Sequence, residues 1–302
     1  MSRRLFCECH CEERSDEAIY AIRLLRFARN DKMKTSLHFV KMAAAGNDFI
    51  VIDNRRGLLK KDLLGLAKKL CDRKYSIGGD GILLLEKSRR ADFRMRIFNP
   101  DGSEADMCGN GVRCLAKYAV DKKIAKKKHR IETGAGIIEA EVRGNGVKAH
   151  LTDPKDFRPR AELNVNGHKE EIHFINTGVP HAVIFAASLE GLPVESRGRD
   201  VRFHGYFAPE GTNVNFVKVQ AGNSIEVRTY ERGVEGETLA CGTGSTASAL
   251  VSAAYRGLRS PVKVRTSGGE VLKVYFKNED GRWRDVYLEG PVQSSFEGRV
   301  RV

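Results

Sequence analysis

The chain has 302 residues, and 52 Lys plus Arg against 39 Asp plus Glu give a formal net charge of +13 at pH 7. That length accommodates two domains of about 100–200 residues, and a composition 41 % hydrophobic with 30 glycines is that of a globular protein, not a fibre or a disordered chain. The best apolar run, Ala247 to Tyr255, is half the roughly 18 residues that a membrane helix needs, which excludes a spanning helix.

Residues 1–32 hold three of the seven cysteines, Cys7, Cys9 and Cys11, beside His10. Zinc sites pair two clusters at wider spacing, and no second cluster answers this one, so no metal is expected. Met33 stands just before a clean strand pattern, Leu37 to Met42. The segment before it resembles translated dispersed repeats, so residues 1–33 are expected to be a non-native leader. The remaining cysteines are too few and too irregular for a disulfide scaffold, and Arg23 and Arg26 interrupt the only candidate export segment. A cytoplasmic protein with reduced thiols is expected.

From Leu37 onward strand signals alternate with short helical ones. Phe49 to Ile52 reads as a buried strand, and Lys61 to Cys71 has apolar residues at helical spacing. Strands are predicted at Ile82–Leu85 and Phe93–Phe98, then at Gly136–Arg143, Val147–Leu151, Ile172–Ile175 and His181–Phe185. More follow at Val214–Val219, Ser224–Tyr230, Val262–Arg265, Val271–Phe276 and Trp283–Leu288. Many strands with few helices point to mixed α+β and away from a doubly wound parallel sheet. The one dense basic cluster, Lys122 to Arg130, reads as a solvated turn after a helix. With no nucleic-acid motif beside it, no nucleic-acid partner is expected.

An internal repeat carries the functional signal. Gly102 to Gly111 (GSEADMCGNG) lines up with Gly236 to Gly244 (GETLACGTG). Both have a glutamate four residues before a cysteine, both read Cys-Gly-x-Gly, and both run into apolar helices, Val112–Val120 and Ser245–Tyr255. A cysteine at a helix start faces unpaired N–H groups and the positive end of the dipole, which favours a thiolate. The glycines let backbone amides approach an anion. Two such thiols across a cleft can remove a proton from one face of a carbon and return one to the other, inverting a stereocentre without a cofactor. Cys71 and Cys114 read as core. Gly242 to Ala247 imitates a dinucleotide fingerprint, but Arg259 to Arg265 is basic where that motif needs an acid, so a nucleotide is not expected.

The motifs AAAGNDFIVIDNR, SIGGDG, FNPDGSEADMCGNGVRC, NTGVPHAV, GTNVNFV and ERGVEGETLACGTG resemble, in family order over residues 37–302, those of the diaminopimelate epimerases. The resemblance implies cofactor-independent interconversion of LL- and meso-2,6-diaminopimelate, in lysine and peptidoglycan synthesis. It matches Cys108 and Cys241 to the catalytic cysteines. It matches Asn47, Asn99 and Asn213 to substrate-binding asparagines, and Gly109, Asn110, Gly242 and Thr243 to the backbone cradles. His181, Glu231 and Arg232 match polar residues around the substrate. Arg232 suits the distal carboxylate; His181 and Glu231 are suited either to the reacting ammonium or to thiolate ionisation. Gly81, Val179 and Ala43-Ala44 depart from the family pattern, Val179 removing a polar contact. Proline racemases and hydroxyproline epimerases also use two cysteines but typically show Cys-Gly-His at the first, where this chain has Asn110. The implied fold is α+β in two pseudo-symmetric halves, each a mainly antiparallel barrel-like sheet around a central helix. The halves are expected at residues 34–152 plus 288–302, containing Cys108, and at 153–287, containing Cys241. The implied partners are the small-molecule substrate and a second copy in a homodimer.

Overall fold

A computed structural model describes residues 36–60, 62–279 and 281–301. The expected leader, with Cys7, Cys9, His10 and Cys11, lies outside the described residues. The first nine strands are β1 (Ser36–Ala44), β2 (Asn47–Asp53), β3 (Gly81–Glu86), β4 (Phe93–Phe98), β5 (Glu104–Ala105), β6 (Lys128–Thr133), β7 (Gly136–Arg143), β8 (Gly146–His150) and β9 (Lys155–Val165). The second nine are β10 (His168–Asn176), β11 (Pro180–Phe185), β12 (Asn213–Gln220), β13 (Ser224–Glu231), β14 (Gly236–Thr238), β15 (Val262–Thr266), β16 (Val271–Glu279), β17 (Arg282–Pro291) and β18 (Gln293–Arg301). The helices are α1 (Leu63–Cys71), α2 (Gly109–Asp121), α3 (Val194–Arg202) and α4 (Gly242–Arg256). None among the described residues is long and apolar enough to cross a membrane.

The strand pairings repeat after nine strands. β1 pairs β2 antiparallel, β2 pairs β3 parallel and β3 pairs β4 antiparallel; β10 with β11, β11 with β12 and β12 with β13 do the same in turn. β4 then takes β5 antiparallel on its way to a parallel pairing with β6, as β13 takes β14 and β15. Each half closes through an antiparallel meander, β6-β7-β8 and β15-β16-β17. β9 pairs β10, β18 pairs β1, and β8 pairs β17 so that both halves share one continuous sheet. This is the expected α+β fold of two pseudo-symmetric halves.

Each half wraps its sheet around one helix. Val112, Leu115, Ala116 and Ala119 of α2 are buried against Val51, Leu83, Met95 and Ile131. Ala247, Leu250 and Val251 of α4 are buried against Val183, Val217, Val264 and Leu272. Each large aliphatic side chain so buried contributes about 1.5–3 kcal/mol. A third cluster packs Val194 and Val201 of α3 against Phe216 and Tyr230 on the other face of the second sheet. The repeated glutamates have matching partners as well. Glu104 takes both nitrogens of a fork from Arg96 at 2.7 Å, and Glu237 takes the same fork from Arg228 at 2.8 and 2.6 Å.

Two expectations are corrected, and two elements were not expected. The segment read as helical over residues 61–71 forms a helix from Leu63, where the Asp62 carboxylate caps it by accepting the Gly65 N–H at 3.0 Å. The basic cluster is only half a turn: Lys128 to Arg130 belong to β6, with Lys128 and Arg130 exposed while His129 and Ile131 are buried. α3 and β9 had no sequence signal. The buried stripe of α3 is only Val194, Gly198 and Val201 among charged residues. Gly198 is required there, since a Cβ would lie 2.4 Å from that of Tyr230.

Candidate active site

Both repeated cysteines occupy the N-cap position of a helix. Cys108 caps α2 with φ −143° and ψ 120°, and its Sγ accepts the Gly111 N–H at 3.5 Å. Cys241 caps α4 with φ −122° and ψ 116°, and its Sγ accepts the Gly244 N–H at 3.4 Å. Sulfur takes the place that a Ser or Asp oxygen usually fills, so each thiol sits on orphan helix donors and the positive dipole end. A Cβ on Gly244 would lie 2.3 Å from Asn215 Oδ1 and 3.3 Å from Cys241 Sγ, which is why this position admits no side chain.

The two helix starts open into one cavity of about 760 Å³, lined by Cys108, Gly109, Asn110, Cys241, Gly242 and Thr243, with Asn47 and Glu231. They are close: a Cβ on Gly242 would stand 3.7 Å from Asn110 Oδ1. The buried Thr177 hydroxyl donates to the Thr243 carbonyl at 3.0 Å, and Val179 also lines the wall. Asn47 is fixed from behind, its Nδ2 donating to Asp80 Oδ2 at 3.0 Å and its Oδ1 accepting from Asn110 Nδ2 at 2.7 Å. Asp80 in turn accepts from Arg73, which also forks onto Asp48.

The other residues singled out in the sequence lie elsewhere. Arg232 lines an adjoining cavity of about 420 Å³ with Arg158 and Pro180, and Asn176 lines both. Asn213 holds Arg232, its Oδ1 accepting the Arg232 N–H at 2.9 Å while its Nδ2 donates to the Pro180 carbonyl. Asn99 lines neither cavity; it closes the turn after β4 by donating to Ser103 Oγ at 3.0 Å. His181 lines neither and is fully buried. Asn215 Nδ2 donates to the Ala182 carbonyl, which fixes the amide, and to His181 Nδ1 at 3.1 Å. Nε2 of His181 therefore carries the proton, and it has no partner among the described residues. Sequence reasoning missed Asp80, Thr177 and Asn215. Asn215 was signalled, since it lies two residues from Asn213 on the same face of β12.

Charge separates the two cysteines. Burial pushes the Cys108 thiol up, while the Gly111 and Asn110 N–H groups and the Arg113 cation pull it down. Burial pushes Cys241 up to about 12, and the Glu231 carboxyl adds to that against the Thr243 hydroxyl and the Gly244 N–H. Glu231 acts on both sulfurs; burial raises its own pKa, opposed by the hydroxyl of Thr238. Burial and the charge of Arg232 hold His181 near 3, so it is a neutral donor. Among the described residues no three His, Cys, Asp or Glu side chains are grouped to hold a metal ion.

Comparison with known proteins places the chain in a family. The family described as Diaminopimelate epimerase matches residues 39–155 and 173–294. A diaminopimelate epimerase of Hydrogenobaculum sp. (strain Y04AAS1) is 46 % identical over 274 residues, covering 86 % of this chain and 97 % of that protein. One of Aquifex aeolicus (strain VF5) is 44 % identical over 280 residues, covering 87 % and 98 %. The fold is shared with the Bacillus anthracis phenazine biosynthesis protein of the PhzF family, at TM-score 0.71 and 18 % identity over 89 % of this chain and all (100 %) of that one. A hydroxyproline epimerase of Agrobacterium vitis has it too, at TM-score 0.61 and 18 % identity over 89 % and 93 %. The matched segments contain both capped cysteines and most of the described sheet, and the chain belongs to the diaminopimelate epimerase family of isomerases.

Proposed function

We propose that this isomerase converts LL-2,6-diaminopimelate to the meso form by two-base catalysis between Cys108 and Cys241. A thiolate takes the α-proton on one face while the opposite thiol gives its proton to the other face. The negative charge that grows on the substrate carboxylate between the two events falls to the amides at Gly109–Asn110 and Gly242–Thr243. The single observation that carries this reading is the pair of cysteines, each capping a helix, on the wall of one cavity. The reaction so written moves only protons and calls for no cofactor.

The distal end of the substrate extends toward Arg232, whose guanidinium suits its carboxylate, past Val179 and Asn176. Asn47, which lines the cavity of the two cysteines, serves the same end, and Asn213 acts by holding Arg232. Asn99 reaches the substrate only if the turn at residues 99–103 moves on closure. Glu231 completes the polar wall at the reacting centre, and neutral His181 stands behind that wall, bonded to Asn215. The reading assigns the first half to residues 34–152 plus 288–302 and the second to 153–287, each supplying one base. It further assigns a cytoplasmic homodimer serving lysine and peptidoglycan synthesis.

The test is incubation with LL-diaminopimelate in deuterated water, for the wild-type protein, Cys108→Ala and Cys241→Ala. Wild type should exchange the α-hydrogen and invert the centre, and each variant should lose inversion by about 10²–10⁴-fold. No exchange in the wild type rejects the function, and full inversion by either variant rejects the two-base assignment.

A further inference from the structure

Arg113 lies five residues after Cys108 in α2 and is fully buried, yet it does not line the cavity. Its Nη2 donates to Asn110 Oδ1 at 2.6 Å and its Nη1 to the Gly109 carbonyl at 3.4 Å, while Nε has no partner. Among the described residues it makes no salt bridge. A guanidinium stays protonated, and one buried without an anion is strongly destabilised. The ionisable groups that act on it are Cys114, Cys108 and Glu270. Cys114 is fully buried, which drives its thiol far above the usual range and keeps it neutral. Cys108 and Glu270 are left to balance the charge.

At the matching position the second half carries no cation. Five residues after Cys241 stands Thr246, also fully buried, whose hydroxyl donates to the Gly242 carbonyl at 2.9 Å. Arg113 and Thr246 thus bond to the same carbonyl of their respective helices, one charged and one neutral. The orientation of Arg113 is enforced from outside. Asp80 only accepts, so Asn47 must turn its Nδ2 to Asp80 and its Oδ1 to Asn110. Asn110 then has only its Oδ1 to offer Arg113.

Building on the two-cysteine reading above, we propose that Arg113 is a positioning residue that places the resting thiolate on Cys108 and leaves Cys241 as the resting thiol. The groups facing Cys108 are Arg113, the amides of Asn110 and Gly111, and Glu231 from β13, whose carboxyl opposes the bias. One turnover moves the substrate proton to Cys108 and the Cys241 proton to substrate. The charge on Cys241 then lacks a cation behind it, and proton exchange through water returns the protein to its resting form.

The test is the pH dependence of iodoacetamide alkylation at each cysteine, read by peptide mass spectrometry on the full chain without substrate. Midpoints are compared, because rates also report access. In wild type the Cys108 midpoint should lie at least about one pH unit below that of Cys241. Arg113→Met should raise it by about 1–3 units with Cys241 unmoved, and Arg113→Lys should keep the wild-type order. Glu270→Gln removes the competing anion and should lower the Cys108 midpoint, which keeps the proposal testable if Arg113→Met does not fold. Cys241 titrating first, an unmoved Cys108 in Arg113→Met, or a Glu270→Gln midpoint that stays or rises overturns it. α-Deuterium exchange on the same preparations separates the two readings. Absent exchange with Cys108 titrating first rejects the function and leaves Arg113 its role, whereas normal exchange with Cys241 first does the reverse.

Discussion

The cradle of Cys108 and the cradle of Cys241 have nearly the same backbone and opposite backgrounds. Their N–H···S distances are 3.5 and 3.4 Å, and both cysteines are extended N-caps. Behind the first stand ions: buried Arg113 and, past Asn47, the cluster of Lys41, Asp48, Arg73 and Asp80. Behind the second stand neutral groups: Asn215 bonded to His181 and to the Thr229 hydroxyl, and the Thr246 hydroxyl on its own helix. The two halves share the capping geometry, which strand pairing and the i to i+3 bond impose. The side chains one layer out diverged, and with them the electrostatics of two otherwise matching thiols.

The largest effect that would sharpen this comparison is expected at the paired third residues of the helices. Gly244→Ala drives a methyl group into Asn215 Oδ1 and against Cys241 Sγ. It should cost about 2–3 kcal/mol by urea unfolding and reduce epimerisation at least about 100-fold. At Gly111 a Cβ meets the Leu83 Cδ2 methyl at 3.0 Å, the end of a flexible side chain. Gly111→Ala should therefore cost about 1 kcal/mol or less, helped by the helix propensity of alanine. Equal losses at both sites would break the comparison.

A smaller effect separates the backgrounds by pH. Burial raises the Asp48 carboxyl, but the charges of Arg73 and Lys41 outweigh it and hold the group at about 2, against 3.8 unperturbed. A lowered folded pKa gives stability that is full above about pH 4 and is lost as pH falls toward 2. Asp48→Asn should thus be less stable than wild type by about 1–2 kcal/mol at neutral pH, and the gap should close by pH 2. A gap constant over that range would show that the cluster braces the first half by packing alone.

The smallest effect is expected at the repeated forks. Double-mutant cycles on Arg96–Glu104 and Arg228–Glu237 should give coupling energies of about 0.3–1 kcal/mol each. The second should be the larger, because Glu237 is 21 % exposed and Glu104 41 %. Opposite ranking would mean that the repeat conserves the ion pair but not its environment.

Much of this was legible in the residues themselves. A cysteine followed by Gly-x-Gly and an apolar helical run is a local pattern, and the cap it forms is closed by an atom three residues away. The strands alternate along their own length, as Phe93, Met95 and Ile97 do in β4. α3 and β9 were hidden because their buried faces are narrow and their charges dense. Asn99 and His181 had the right residue type in the right motif, but whether they face the cavity depends on a turn and on the buried register of β11 with β12.

The sequence by itself determined which two thiols sit on helix donors, because capping is a short-range hydrogen bond between near neighbours. Only the tertiary structure decided that Arg113 is buried beside one of them, that Asp80 orients Asn47, and that Arg232 opens on a neighbouring cavity. Those facts arise where strands distant in the chain pair and exclude water, and the field at a sulfur is the sum of charges that only the folded sheet brings within reach.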